Sequence, residues 1–152
     1  AIIEVRVKNC PIGIGEPIYQ KLDSELSKAI MSINAVKGIE FGTGFNLVGL
    51  DGTNSSDQMS IKKNKIKFHS NHAGGILGGI SSGQEIVFRY VVKPTSSVLS
   101  EKSTVTKNMK NSKVRTVGRH DPCVGIRAVP VGIAMTTFVI ADLLMISRSK
   151  LF

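Results

Sequence analysis

The sequence predicts an α+β fold, an antiparallel sheet packed against long helices, on three observations. An alternating apolar run opens the chain, with Ile2, Ile3, Val5 and Val7 set among Glu4, Arg6 and Lys8, and a second run rich in Ile, Val, Phe and Tyr spans 85–92. Apolar residues at three- and four-residue spacing mark a helix over 18–36, and a long apolar stretch over 128–146 marks another. These elements follow one another without a regular βαβ rhythm, which favours antiparallel pairing over a doubly wound sheet.

At 152 residues, 41% hydrophobic and 20% charged, the chain has the size and apolar content of one globular domain and lacks the composition of a disordered one. The opening strand leads into 11–17, where two glycines and two prolines suit a loop. In the helix that follows, Leu22, Leu26, Ala29, Ile30 and Ile33 form the apolar face, with Lys21, Asp23, Glu25 and Lys28 opposite. Gly38, Gly42 and Gly44 punctuate the next segment, and 45–50 reads as a strand. Residues 51–68 form a polar, basic loop ending in four lysines, which reads as a solvated hairpin or mobile excursion. A glycine-dense segment, 70–83, feeds the strand at 85–92. A second basic loop covers 101–113, a short strand 114–117 and a further loop 118–123. Pro130 is expected in the first turn of the last helix, where its missing N–H is harmless. Pro130, Gly132 and Asp142 interrupt the 128–146 stretch, which argues for a buried core helix and against a membrane span.

The charge of +9 is unevenly shared. Residues 1–60 hold 5 basic and 7 acidic side chains, a net of −2, and residues 61–152 hold 15 basic and 4 acidic, a net of +11. An anionic partner is therefore expected at the C-terminal part. Nucleic acid is the simplest such partner, but 5% aromatics without Trp leave little stacking surface, and no RNA- or DNA-binding motif is present. Two cysteines, Cys10 and Cys123, are too few for a disulfide scaffold and fit a reducing compartment. Beginning at Ala1 within an alternating pattern, without an initiator Met, the chain is expected to be a fragment.

Three clusters could carry chemistry. Gly74, Gly75, Gly78 and Gly79 would let backbone approach a ligand, or make a tight turn; they match neither the dinucleotide nor the Walker pattern. Lys93, Pro94, Thr95, Ser96 and Ser97 offer a cation and three hydroxyls after a strand, suited to phosphate or to a polar turn. Arg119, His120 and Asp121, with Arg127 close behind, place an anion clamp, an imidazole and a carboxylate together. Metal ligation by His69, His72, His120 and Cys123 has no matching motif, and a Cys123–His120 nucleophilic pair lacks an activating context.

Four segments together resemble chorismate synthase: Met31-Ser-Ile-Asn-Ala-Val-Lys-Gly38, the glycine-dense Ser70 to Gly83, Lys93 to Ser97, and Gly118-Arg-His-Asp-Pro-Cys-Val-Gly-Ile-Arg-Ala-Val-Pro130. They stand in that family's order and nearly its spacing. The resemblance implies a β-α-β sandwich, of which this chain would be a single partial domain from the C-terminal portion. It also implies a lyase of the shikimate pathway that eliminates phosphate and a ring hydrogen from 5-enolpyruvylshikimate-3-phosphate to give chorismate, an aromatic amino acid precursor. Reduced FMN would be required, lending an electron transiently, in a cytoplasmic homotetramer with a plastid as the alternative location.

Carried over by motif, the resemblance implies FMN contacts at Asn34, Ala35, Gly78, Lys93, Pro94, Thr95, Ser96, Ser97 and Arg119. It implies Asp121 as the catalytic acid-base group, Arg127 and His120 as substrate contacts, and no metal, nucleic-acid or membrane partner. A Gly-Glu-Ser-His-Gly segment typical of the family is absent, so the chain by itself is expected to be inactive. Gly132 stands where Ala is usual, Ile133 where Glu is common and Leu143 where His is frequent. The competing reading is a non-catalytic, nucleic-acid-binding protein that keeps the fold.

Overall fold

A computed structural model describes residues 1–149. β1 (Ile2–Val7), α1 (Leu22–Met31), β2 (Val36–Phe41), β3 (Met59–Lys62), β4 (Lys65–Phe68), β5 (Ile76–Leu77), β6 (Ile80–Ser81), β7 (Ile86–Val92), β8 (Lys102–Val105), β9 (Asn111–Val114) and α2 (Gly125–Ser149) follow in that order. The α+β class holds. β7 is the centre of an antiparallel sheet ordered β1-β7-β2, and three two-stranded hairpins accompany it: β3-β4, β5-β6 and β8-β9.

Alternation decides the faces of this sheet. Ile86, Phe88, Tyr90 and Val92 of β7 are buried together, with Ile3, Val5 and Val7 of β1 beside them. On the other face Arg89 pairs with Glu40 at 2.7 Å, and Arg6 reaches Glu4 at 2.6 Å and Glu85 at 3.3 Å. α1 lays Leu22, Leu26 and Ile30, one turn apart, onto the inner face, and each is fully buried.

The helix expected over 18–36 is shorter at both ends. Tyr19 has φ +62° and is exposed, so the backbone is not helical before Lys21. At the other end Ala35 turns left-handed at φ +70°, and the β-branched residues beyond it join the sheet as β2, a strand that periodicity alone did not reveal. The strand expected at 45–50 is a 3₁₀ turn over Gly44–Gly49. Gly44 at φ +60° redirects the chain, and the Phe45 N–H donates to the Glu40 carboxylate at 3.0 Å, which removes the segment from the sheet edge.

The 101–113 loop is largely the β8-β9 hairpin, and of the strand expected at 114–117 only Val114 is paired. α2 is not a buried core helix. It buries a narrow stripe, Gly125, Ala128, Gly132, Thr136 and Leu143, against the rest of the chain and exposes Ile126, Ile133, Phe138 and Met145. By length and composition it could cross a bilayer. Pro130 lies in its second turn, so the Ile126 carbonyl loses its helical donor. Of the three departures in this helix, Gly132 faces Tyr90 and Leu143 is buried among apolar side chains, where an imidazole would be desolvated. Nothing in the structure accounts for an apolar residue at the exposed Ile133.

Candidate functional site

The site is assembled by two hydrogen bonds between distant segments. Where β7 ends, the Lys93 N–H donates to the Ala35 carbonyl at 2.8 Å, which sets Asn34 and Ala35 beside the Lys93–Ser97 segment. Pro94 fixes φ and has no N–H, so the chain leaves the ladder there. Two residues on, the Thr95 hydroxyl donates to the Asp121 carbonyl at 2.9 Å and ties this segment to the 118–123 loop. Ser97, Val98, Leu99, Gly118, Arg119 and His120 then line an open groove of about 480 Å³. Three of the sequence motifs therefore meet in one place.

Charge in this place is unbalanced. Among the described residues Lys93 and Arg119 have no carboxylate partner, and the Ser96 and Ser97 hydroxyls have no hydrogen-bond partner. Lys102 donates to the Ser96 carbonyl. Arg119 and Ser97 on the groove, with Lys93 and Ser96 on the segment that leads into it, are donors of the kind a phosphate monoester needs. Asp121 is the exception, since its carboxylate is held by Arg127 through Nε–Oδ2 at 2.8 Å and Nη2–Oδ1 at 3.2 Å. His120 is exposed on the groove.

Gly78 is not brought to this cluster. It forms, with Gly79, the turn of the β5-β6 hairpin, both at positive φ, and the Gly79 carbonyl accepts from the Leu22 N–H at the start of α1. Asn34 and Ala35 follow the other end of α1, whose ten residues span roughly 15 Å. A Cβ on Gly78 would meet nothing within 4 Å, so its backbone lies bare and open. Among the described residues no group of three His, Cys, Asp or Glu side chains is placed to hold a metal. The His72 ring instead meets the Thr43 hydroxyl at 2.8 Å, and Cys10 is buried while Cys123 is exposed.

Sequence reasoning missed Asp57, which it counted as part of a solvated loop. Its carboxylate accepts from the Ser70 hydroxyl at 2.6 Å, the His72 N–H at 2.7 Å and the Ala73 N–H at 2.9 Å, and so anchors the glycine-dense segment. Burial pushes its pKa up, but these hydrogen bonds and the nearby His72 outweigh burial and hold it below the ordinary value. A depressed folded pKa means that the anchor stabilises the fold above the unfolded carboxylate pKa, about 3.9, and fades as pH falls through the lower folded value. Asp57→Asn is therefore expected to lower the Tm near neutral pH by roughly 2–4 °C. Thermal melts against pH should show that difference shrinking below about pH 4. A constant difference down to pH 2 would refute the anchor.

Comparison with known proteins agrees with this geometry. The family model for chorismate synthase matches residues 1–145. The chain is 55% identical over 151 residues to chorismate synthase of Parvibaculum lavamentivorans, covering 99% of this chain and 41% of that protein. It is 54% identical over 150 residues to the Pelagibacter ubique enzyme, covering 99% and 42%. A crystal structure of chorismate synthase superposes with a TM-score of 0.74 at 30% identity, over 96% of this chain and 37% of that one. The chain thus spans about two fifths of the length of the relatives it matches, and it belongs to the chorismate synthase family.

Proposed function

We propose that this chain supplies the FMN-binding part, and some of the substrate contacts, of an enzyme that converts 5-enolpyruvylshikimate-3-phosphate to chorismate with reduced FMN. The observation that carries the proposal is the meeting of two segments, tied to Ala35 and Asp121, that carry Lys93, Ser96, Ser97 and Arg119, whose side chains have no partner among the described residues. These donors fit the phosphate of FMN. Asn34 and Ala35 flank them, and Pro94 and Thr95 set the path of the segment; Gly78, at the other end of α1, stands apart from this cluster in the chain.

Reduced FMN, when bound, supplies electron density that helps phosphate leave the substrate. The protein's own part is to hold and neutralise anions and to move one proton. Arg119 and Lys93 offset negative charge before any reaction, so little reorganisation is needed as charge develops. Asp121, partly exposed and next in sequence to the groove residue His120, is the proton acceptor in this reading; His120 on the groove is a candidate contact for the substrate's anionic groups, and Arg127 comes to them already paired with Asp121. The β-α-β sandwich, the homotetramer and the cytoplasmic location belong to the same reading; two unpaired cysteines are compatible with a reducing compartment. The remaining catalytic groups lie on other parts of the enzyme in this reading, so the chain alone is inactive.

Arg119→Ala in the full-length protein is expected to weaken FMN binding by about tenfold to a hundredfold, the loss of one charge-assisted contact. Fluorescence titration with FMN measures this. Substitutions at Lys62, Lys63 and Lys65 on the β3-β4 hairpin should leave flavin affinity unchanged. No FMN binding by the parent protein, with salt-sensitive RNA binding lost on changing those lysines, would favour the nucleic-acid reading instead.

A further inference from the structure

Resting on the reading of Asp121 as the acid-base group, we propose that Arg127 is a positioning residue for Asp121, acting on the reaction chiefly through that carboxylate. The structure holds Asp121 at two independent points. Its main-chain carbonyl accepts from Thr95 at 2.9 Å, and its carboxylate is gripped by both Nε and Nη2 of Arg127, at 2.8 and 3.2 Å. Arg127 stands in the first turn of α2, two residues after its start, so the grip is anchored to a 25-residue helix whose Gly125 and Ala128 are buried on either side of it. The loop it steadies has little else to hold it. Gly118 takes φ +127°, Arg119 and His120 have no side-chain partner among the described residues, and Pro122 has no N–H to donate.

A planar fork engaged on two carboxylate oxygens fixes the rotation of that carboxylate as well as its place, which a lysine's point charge does not do. The same engagement uses two of the guanidinium's three nitrogens. Arg127 therefore keeps only the Nη1 donors and one N–H of Nη2 for any other anion, whereas Arg119 has no side-chain partner among the described residues. Exposure of the pair, with Arg127 77% and Asp121 42% accessible, means that it adds little to global stability, so removing it should disturb the carboxylate and leave the fold.

The test uses the full-length enzyme with reduced FMN and compares Arg127→Gln, Arg127→Lys, Asp121→Asn and the double variant Asp121→Asn/Arg127→Gln. Positioning predicts that Arg127→Gln lowers kcat about tenfold to a hundredfold while KM for the substrate changes less than about threefold. Arg127→Lys should recover only part of that loss. In the Asp121→Asn background, Arg127→Gln should cost almost nothing further, because the group it serves is gone. A raised KM with kcat preserved, or a full additional loss in the double variant, would overturn the proposal and make Arg127 a direct substrate clamp.

Hydrogen exchange of the flavin-free protein supplies a readout independent of turnover. Arg127→Gln should speed exchange across 118–124 and leave 132–146 of α2 unchanged; unchanged exchange in 118–124 would also overturn the proposal. If the parent enzyme makes no chorismate, the functional reading fails, and the exchange result still decides whether Arg127 holds the Asp121 loop.

Discussion

Replacing Asp121 with Asn in the full-length protein is expected to lower chorismate formation by about two to four orders of magnitude and leave FMN affinity within a few-fold of the parent. The argument is one of placement. Among the described residues Asp121 is the carboxylate joined to the Lys93–Ser97 segment, through its own backbone, and it neighbours Arg119 and His120 on the groove. Glu101, the nearest acid in sequence, is paired with Lys113 at 3.1 Å in the β8-β9 hairpin. Asn keeps the size and the carbonyl anchor to Thr95 but cannot accept a proton as a carboxylate does. Steady-state assays beside FMN titration separate the two effects. A variant with near-normal kcat would remove Asp121 from the chemistry.

Gly132→Ala is expected to destabilise the protein by about 2 kcal/mol, although alanine is the better helix former by about 1 kcal/mol. A Cβ at this position would lie 2.2 Å from the Tyr90 hydroxyl and 3.0 Å from its Cζ. Tyr90 is 1% exposed, and its hydroxyl donates to the Ala128 carbonyl at 2.9 Å, one turn before Gly132. The ring cannot withdraw without breaking that bond and leaving a buried hydroxyl unpaired, which itself costs about 1–3 kcal/mol. Gly132 is thus matched to the Tyr on the facing strand. Tyr90→Phe removes the closest atom, so Gly132→Ala should cost less in that background than in the parent. Denaturant melts of the four proteins measure the coupling; equal costs in both backgrounds would refute the contact.

What could be read from the chain beforehand follows from how far each interaction reaches. β1, β7 and the apolar face of α1 show themselves as local alternation or helical spacing, because Ile86, Phe88, Leu22, Leu26 and Ile30 repeat at the period of their own element. β2 was hidden, since its pairing with β7 passes through a bulge between Val36 and Gly38 and its neighbour lies some fifty residues away. The 45–50 segment has a strand's composition, but the Glu40 carboxylate captures Phe45, and no sequence window shows that. α2 misled for a different reason: apolar composition indicates that a face will be covered, yet among the described residues of this helix only Gly125, Ala128, Gly132, Thr136 and Leu143 are buried.

The site divides in the same way. Lys93, Ser96, Ser97 and Arg119 are recognisable as residue types suited to an anion, and the fold ties together the two segments that carry them. The Thr95–Asp121 bond, the two-pronged hold of Arg127 on Asp121, and the service of Asp57 to the glycine-dense segment each join residues that no spacing rule connects. Gly78 matched the motif yet stands at the opposite end of α1 from Asn34 and Ala35.

The central claim, that these residues belong to an FMN-dependent enzyme making chorismate, is tested most directly by incubating the full-length protein with 5-enolpyruvylshikimate-3-phosphate and following chorismate and phosphate together. Equimolar release of both is expected with reduced FMN, neither product with oxidised FMN, and a reduced rate with Arg119→Ala at limiting flavin. Product formation without reduced FMN, or none with it at saturating flavin and substrate, would contradict the account.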